Sequence, residues 1–252
     1  QINGTSGYEE AAAQGLVAGI NAVRLIRDEE SFVPRRAESY IGVLLDDLVT
    51  KGTDEPYRMF TSRAEYRLIL RQDNADERLT HYGVTFGLVE KKVLQMVEKR
   101  RQAVLDAIQR LESRHFNSDR VNPILSSRSS SPVAGGASAY QLLKRPEIRG
   151  QDLGGLIQGF DPEILSRVEI EAKYGGYIKR QLAQVARMSE LESKPVPESI
   201  DYARVPGLSN EAKQKLARVK PASIGQATRV QGVTPADISV LLIEIKRKEA
   251  SR

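Results

Sequence analysis

Residues 88–114, "LVEKKVLQMVEKRRQAVLDAIQRLESR", place Val93, Val97, Val104, Ile108 and Leu111 at near-helical spacing with charge at most other positions. One apolar face at a period near 3.6 predicts a long surface helix that must bury that face against a partner. A second long helix is predicted to start at Asp161, as cap, with Pro162 in its first turn, and to run through "EAKYGGYIKRQLAQVARM". Gly175 and Gly176 interrupt that pattern. Each helical glycine costs about 1 kcal/mol relative to alanine, so the pair predicts a close contact. Between the two helices, "NSDRVNPILSSRSSSPVAGGASAY" reads as a mobile Ser-rich connection. The chain is therefore expected to be mainly α.

The ends carry cap chemistry. "QINGTSGYEEAAAQGLVAGINAVRLI" passes from a glycine-rich turn into a helix whose Glu9 and Glu10 suit a positive N-terminus. Gly15 and Gly19 make one face of it smooth, as for a neighbouring backbone or a flat ligand. A further helix is expected within "RAESYIGVLLDDLVT". After "SKPVPESIDYARVPG" the tail breaks into short helices. Ser223 and Gln226 form a capping box, and Thr234 caps the last helix ahead of Pro235 and Asp237. "VPGLSNEAKQKL" and "VQGVTPADISVLL" share an order of apolar residue, turn glycine, apolar residue, cap and helix, which loosely resembles a helix-hairpin-helix repeat.

Basic residues concentrate in "YRMFTSRAEYRLILRQDNADERL". Arg58, Arg63, Arg67 and Arg71 lie among Tyr57, Phe60 and Tyr66, a mixture that suits single-stranded nucleic acid. The same arginines could pair with Glu55, Glu65, Asp73 and Asp76, and residue types alone leave both readings open. Alternation favours a strand over 66–71, paired with "YRMFT". Ser62 with Glu65, and arginines at i, i+4, admit a helix.

Several chemistries drop out. With no cysteine and two histidines in 252 residues, thiolate catalysis, disulfides within the chain and a histidine-based metal site are excluded. No nucleophile–histidine–acid set is present, so no catalytic or metal-ligating residue is assigned. The longest apolar runs are far short of a membrane span. A net charge of +5 modestly favours an anionic partner. The chain opens at Gln1 inside a structured motif and reads as a piece of a longer protein.

In "QINGTSGYEEAAAQG", "EPYRMFTSRAEYRLILRQDNADERLT" and "KPASIGQATRVQGVTPADIS" the chain closely resembles the C-terminal part of the MnmG/GidA family. No pattern of that family is recognised over residues 114–138. The resemblance implies a cytoplasmic, homodimeric, FAD-dependent enzyme that uses NADH. With the GTPase MnmE it would modify carbon-5 of the wobble uridine in tRNA. The family's G-x-G-x-x-G fingerprint and active-site cysteines do not occur here, so the fragment itself is expected to be inactive. The resemblance implies the end of a flavin-binding α/β domain over 1–80, a helical domain over 81–198 and a small helical subdomain over 199–252. Gln1, Asn3 and Gly4 become expected FAD contacts and Arg58 and Arg67 expected tRNA contacts, with Arg63 and Arg71 open to a structural role. The tail would meet the GTPase. A non-enzymatic helical module that binds RNA or docks a protein is the alternative.

Overall fold

The computed structural model describes residues 2–52 and 55–250. It is mainly helical and divides into two compact units, one of Gln1–Leu70 with Gln181–Arg252 and one of Arg71–Arg180.

In the second unit, α3 (Ala75–Thr85) and α4 (Lys91–Ser113) precede a two-residue strand β1 (His115–Phe116) and α5 (Ser118–Ser127). Strand β2 (Ala137–Ser138), antiparallel to β1, leads into α6 (Ala139–Leu143), and the long helix α7 (Pro162–Glu192) begins in this unit. The periodicity of α4 is realised. Val97, Val104, Ala107 and Leu111 are buried, while Val93 stays at the surface. Val104, Ala107 and Leu111 share a core with Leu142, Leu143, Ile148, Leu153 and Val168, all nearly or fully buried. Ion pairs of Arg167 with Glu77 at 2.9 Å and of Arg100 with Asp76 hold α3 against its neighbours.

The Ser-rich stretch is more than a connection. Val121 and Leu125 of α5 are fully buried, Ser138 caps α6, and Asn122 holds both the N–H and the carbonyl of Val133. Arg145 donates to Ser130 Oγ and the Ser131 carbonyl. Few apolar residues suffice here because each is placed inward and the polar ones close the loop. Asp161 accepts from the Glu163 N–H at 2.7 Å, as expected of a cap. The glycine pair does not interrupt α7, and a Cβ at Gly175 or Gly176 would meet nothing within 4 Å. The predicted close contact is absent there.

The first unit holds α1 (Tyr8–Ile26), α2 (Tyr40–Thr50), the end of α7, α8 (Asn210–Val219), α9 (Ile224–Ala227) and α10 (Pro235–Ala250). Gly15 and Gly19 face open space. The two tail turns are built alike. Gly207 and Gly232 take φ of 85° and 88°, a region that disfavours side chains, and each is followed two residues later by a cap, Ser209 or Thr234. Asp237 joins them: one carboxylate oxygen accepts the Ser209 N–H and the other the Thr234 N–H and hydroxyl. These hydrogen bonds hold its carboxyl at about 2. Behind the turns, Leu216, Ile224, Ala227 and Leu241 are fully buried.

Residues 62–71 form neither strand nor helix. A 3₁₀ turn, Thr61–Arg63, leads into consecutive turns in which Ile69 and Leu70 both donate to the Tyr66 carbonyl. Ala64, Tyr66 and Leu70 are buried at an even spacing, as alternation would have it, but the backbone turns instead of extending.

Candidate nucleic-acid interface

The opening turn and the arginine segment are stitched together. Gly4, at φ 85°, offers its carbonyl to the Tyr57 N–H at 2.7 Å, and Thr5 and Tyr57 form a parallel bridge. Asn3 donates its side-chain amide to Gln14, which donates to Thr5. Glu10, in the first turn of α1, accepts the Met59 N–H at 2.8 Å and lies 3.3 Å from Arg58 Nε. The Met59 N–H, with the Arg58 charge, holds the Glu10 carboxyl below its usual range despite burial. A Cβ at Gly7 would fall within 1.7 Å of this carboxylate, so α1 can start this way only from glycine. Gln1 lies outside the described residues.

The four arginines separate by environment. Arg63 stacks 4.3 Å from the Tyr57 ring and donates to the Arg58 carbonyl. Arg71 pairs with Asp73 and with Glu171. Both are structural. Arg58 is half exposed despite its contact with Glu10. Arg67 is exposed and has no ion-pair partner among the described residues. Of the expected stacking surface, only Phe60 is exposed, whereas Tyr57 and Tyr66 are buried. The Tyr57 hydroxyl donates to Asp47, and burial with that negative charge pushes its phenol far up.

Beneath the segment lies an ion network that sequence reading missed. Arg36, 8% exposed, donates to Asp46, Asp47 and Glu65. Burial alone would lower its pKa, and the Glu65 and Asp47 carboxylates more than reverse this. Arg229 grips both oxygens of Asp46, at 2.6 and 2.8 Å, and also pairs with Glu192. Asp46 is thus shared by two buried arginines. The signal was present in "IGVLLDDLVT": two carboxylates inside an apolar helix must find cations.

In the tail, a cavity of about 780 Å³ opens between Pro197, Tyr202, Lys213, Ala217 and Lys220. Burial pushes the Tyr202 phenol up to about 12. The described residues contain no cluster able to hold a metal ion and no helix long and apolar enough to cross a membrane.

Three family models match the chain. The tRNA modifying enzyme MnmG/GidA C-terminal helical bundle matches residues 184–252, the MnmG/GidA C-terminal helical domain 91–182, and glucose inhibited division protein A 1–30. Curated relatives include the tRNA uridine 5-carboxymethylaminomethyl modification enzymes MnmG of Heliobacterium modesticaldum and Caldicellulosiruptor saccharolyticus. Each is 52% identical over 98% of this chain and 40% of its own length. The solved structure of Aquifex aeolicus GidA in its form II crystal is similar with a TM-score of 0.80 and 39% identity, over 96% of this chain and 39% of that one. The chain therefore spans about two fifths of the relatives it matches.

Proposed function

The chain belongs to the MnmG/GidA family, and we propose that it is the C-terminal portion of a tRNA wobble-uridine modification enzyme, contributing tRNA and partner contacts. The observation that carries this reading is the division among the arginines. Arg63 and Arg71 are spent on the fold, while Arg67 has no ion-pair partner among the described residues and Arg58 is half exposed on a segment tied to the opening turn. A guanidinium held in water by a rigid turn gives a phosphate or a base edge a positioned, bidentate donor.

The parent protein, in this reading, is a cytoplasmic homodimer that binds FAD, takes electrons from NADH and works with the GTPase MnmE at carbon-5. FAD would supply the redox chemistry. The opening turn fits one wall of such a site: Ile2 and Tyr8 are almost fully exposed on either side of Asn3 and Gly4, apolar surface that a flat ring would cover. Asn3 and Gly4 would line that wall, together with Gln1. Residues 199–252 are read as the GTPase-docking subdomain, with the cavity beside Tyr202 as its apolar feature.

The test is reconstitution. Full-length protein with its GTPase partner, NADH, a folate-derived one-carbon donor and unmodified tRNA should add mass at the wobble uridine. An unmodified uridine, with both proteins folded and flavin bound, would contradict the reading.

A further inference from the structure

From Ala172 to Ser189 the sequence carries four cations, Lys173, Lys179, Arg180 and Arg187, and not one carboxylate. Most exposed helices alternate charge signs, so eighteen residues of one sign are unusual for a merely solvated face. Within the second unit, this stretch presents Tyr174 and Tyr177, 45% and 56% exposed. At i and i+3 they share one side of α7. The Arg180 guanidinium lies 4.8 Å from the Tyr177 ring centroid. Gly175 and Gly176 between the tyrosines leave open space where side chains would otherwise stand. On its N-terminal side the nearest carboxylates are already used: Glu169 pairs with Lys173 and Glu171 with Arg71. Arg180 has no ion-pair partner among the described residues.

We infer that this face of α7 is a stacking platform for an unpaired nucleobase, with Tyr177 under the base and Arg180, three residues on along the same side, at its edge and on the adjoining phosphate. Exposed aromatic rings beside unneutralised cations are the combination that single-stranded nucleic acid recognises, and the absence of acid over five turns disfavours a cationic partner. The arginine segment offers only Phe60 for stacking, because its tyrosines are buried. The inference rests on the reading that the parent protein binds RNA and adds a second contact to it.

Full-length protein is titrated with two probes, unmodified tRNA and a short unstructured oligoribonucleotide carrying 2-aminopurine. Tyr177→Ala should weaken both about tenfold and abolish the stacking quench of 2-aminopurine, while Tyr177→Phe keeps them. Arg180→Gln should lower the salt slope by about one. Unchanged affinity and quench in Tyr177→Ala overturn the platform, as does a variant that loses only dimer mass or GTPase binding, which would make this a protein interface. If tRNA binds and Tyr177 is silent, the platform fails and the function stands. If the oligonucleotide binds through Tyr177 but tRNA does not bind, the platform stands and the tRNA reading fails.

Discussion

Asp46 does more for the fold than its place on an exposed-sounding helix suggests. It is the carboxylate shared by Arg36 and Arg229, both about nine-tenths buried. Removing one member of a buried network leaves charges without full compensation, so Asp46→Ala should cost about 3 kcal/mol and lower the melting temperature by several degrees. An unaltered melt would show that the network contributes nothing. Asp237 makes a different kind of prediction. Its folded pKa of about 2 lies below the usual value of 3.8, so its contribution is complete above pH 4 and is lost as pH falls toward 2. Asp237→Asn should flatten that part of the acid-stability profile. A profile identical to the parent's would place the acid-sensitive group elsewhere. The apolar helix around Asp46 signalled that it needs a cation, but its partners, far along the chain, were not readable, and Asp237 read only as a first-turn acid.

At the scale of elements, the long periodic helices and the capped tail were legible, and the irregular segments were not. Leu111 and Val104 announce α4 by spacing, and Thr234 with Pro235 announces α10 by cap chemistry. Residues 62–71 defeat the strand template in their backbone, which turns consecutively although Ala64, Tyr66 and Leu70 keep an even spacing. The Ser-rich stretch was misjudged because two fully buried residues, Val121 and Leu125, anchor a helix that its composition disguises. The tail turns offer a direct check. A Cβ at Gly232 would fall 2.3 Å from a Glu211 carboxylate oxygen at a φ that disfavours it, so Gly232→Ala should lower the melt clearly. Lys220 closes α8 at φ 50°, where glycine is preferred, and Lys220→Gly should raise stability by about 1 kcal/mol. A melt that moved in the opposite sense for either would refute the described turn geometry.

For the whole molecule, the central claim is that this C-terminal portion holds tRNA through the arginines that the fold leaves exposed. Family membership was readable from three motifs, but which arginines are available was not, since Arg63 and Arg71 differ from Arg67 only in their surroundings. The most direct measurement is tRNA affinity of the full-length enzyme at two salt concentrations, for the parent and for Arg67→Ala, alongside a thermal melt. The account predicts affinity weaker by about tenfold, a salt slope reduced by nearly one, and an unchanged melt, because an exposed, unpaired guanidinium supports little of the core. Unchanged affinity and slope in Arg67→Ala, with or without a lowered melt, would contradict it.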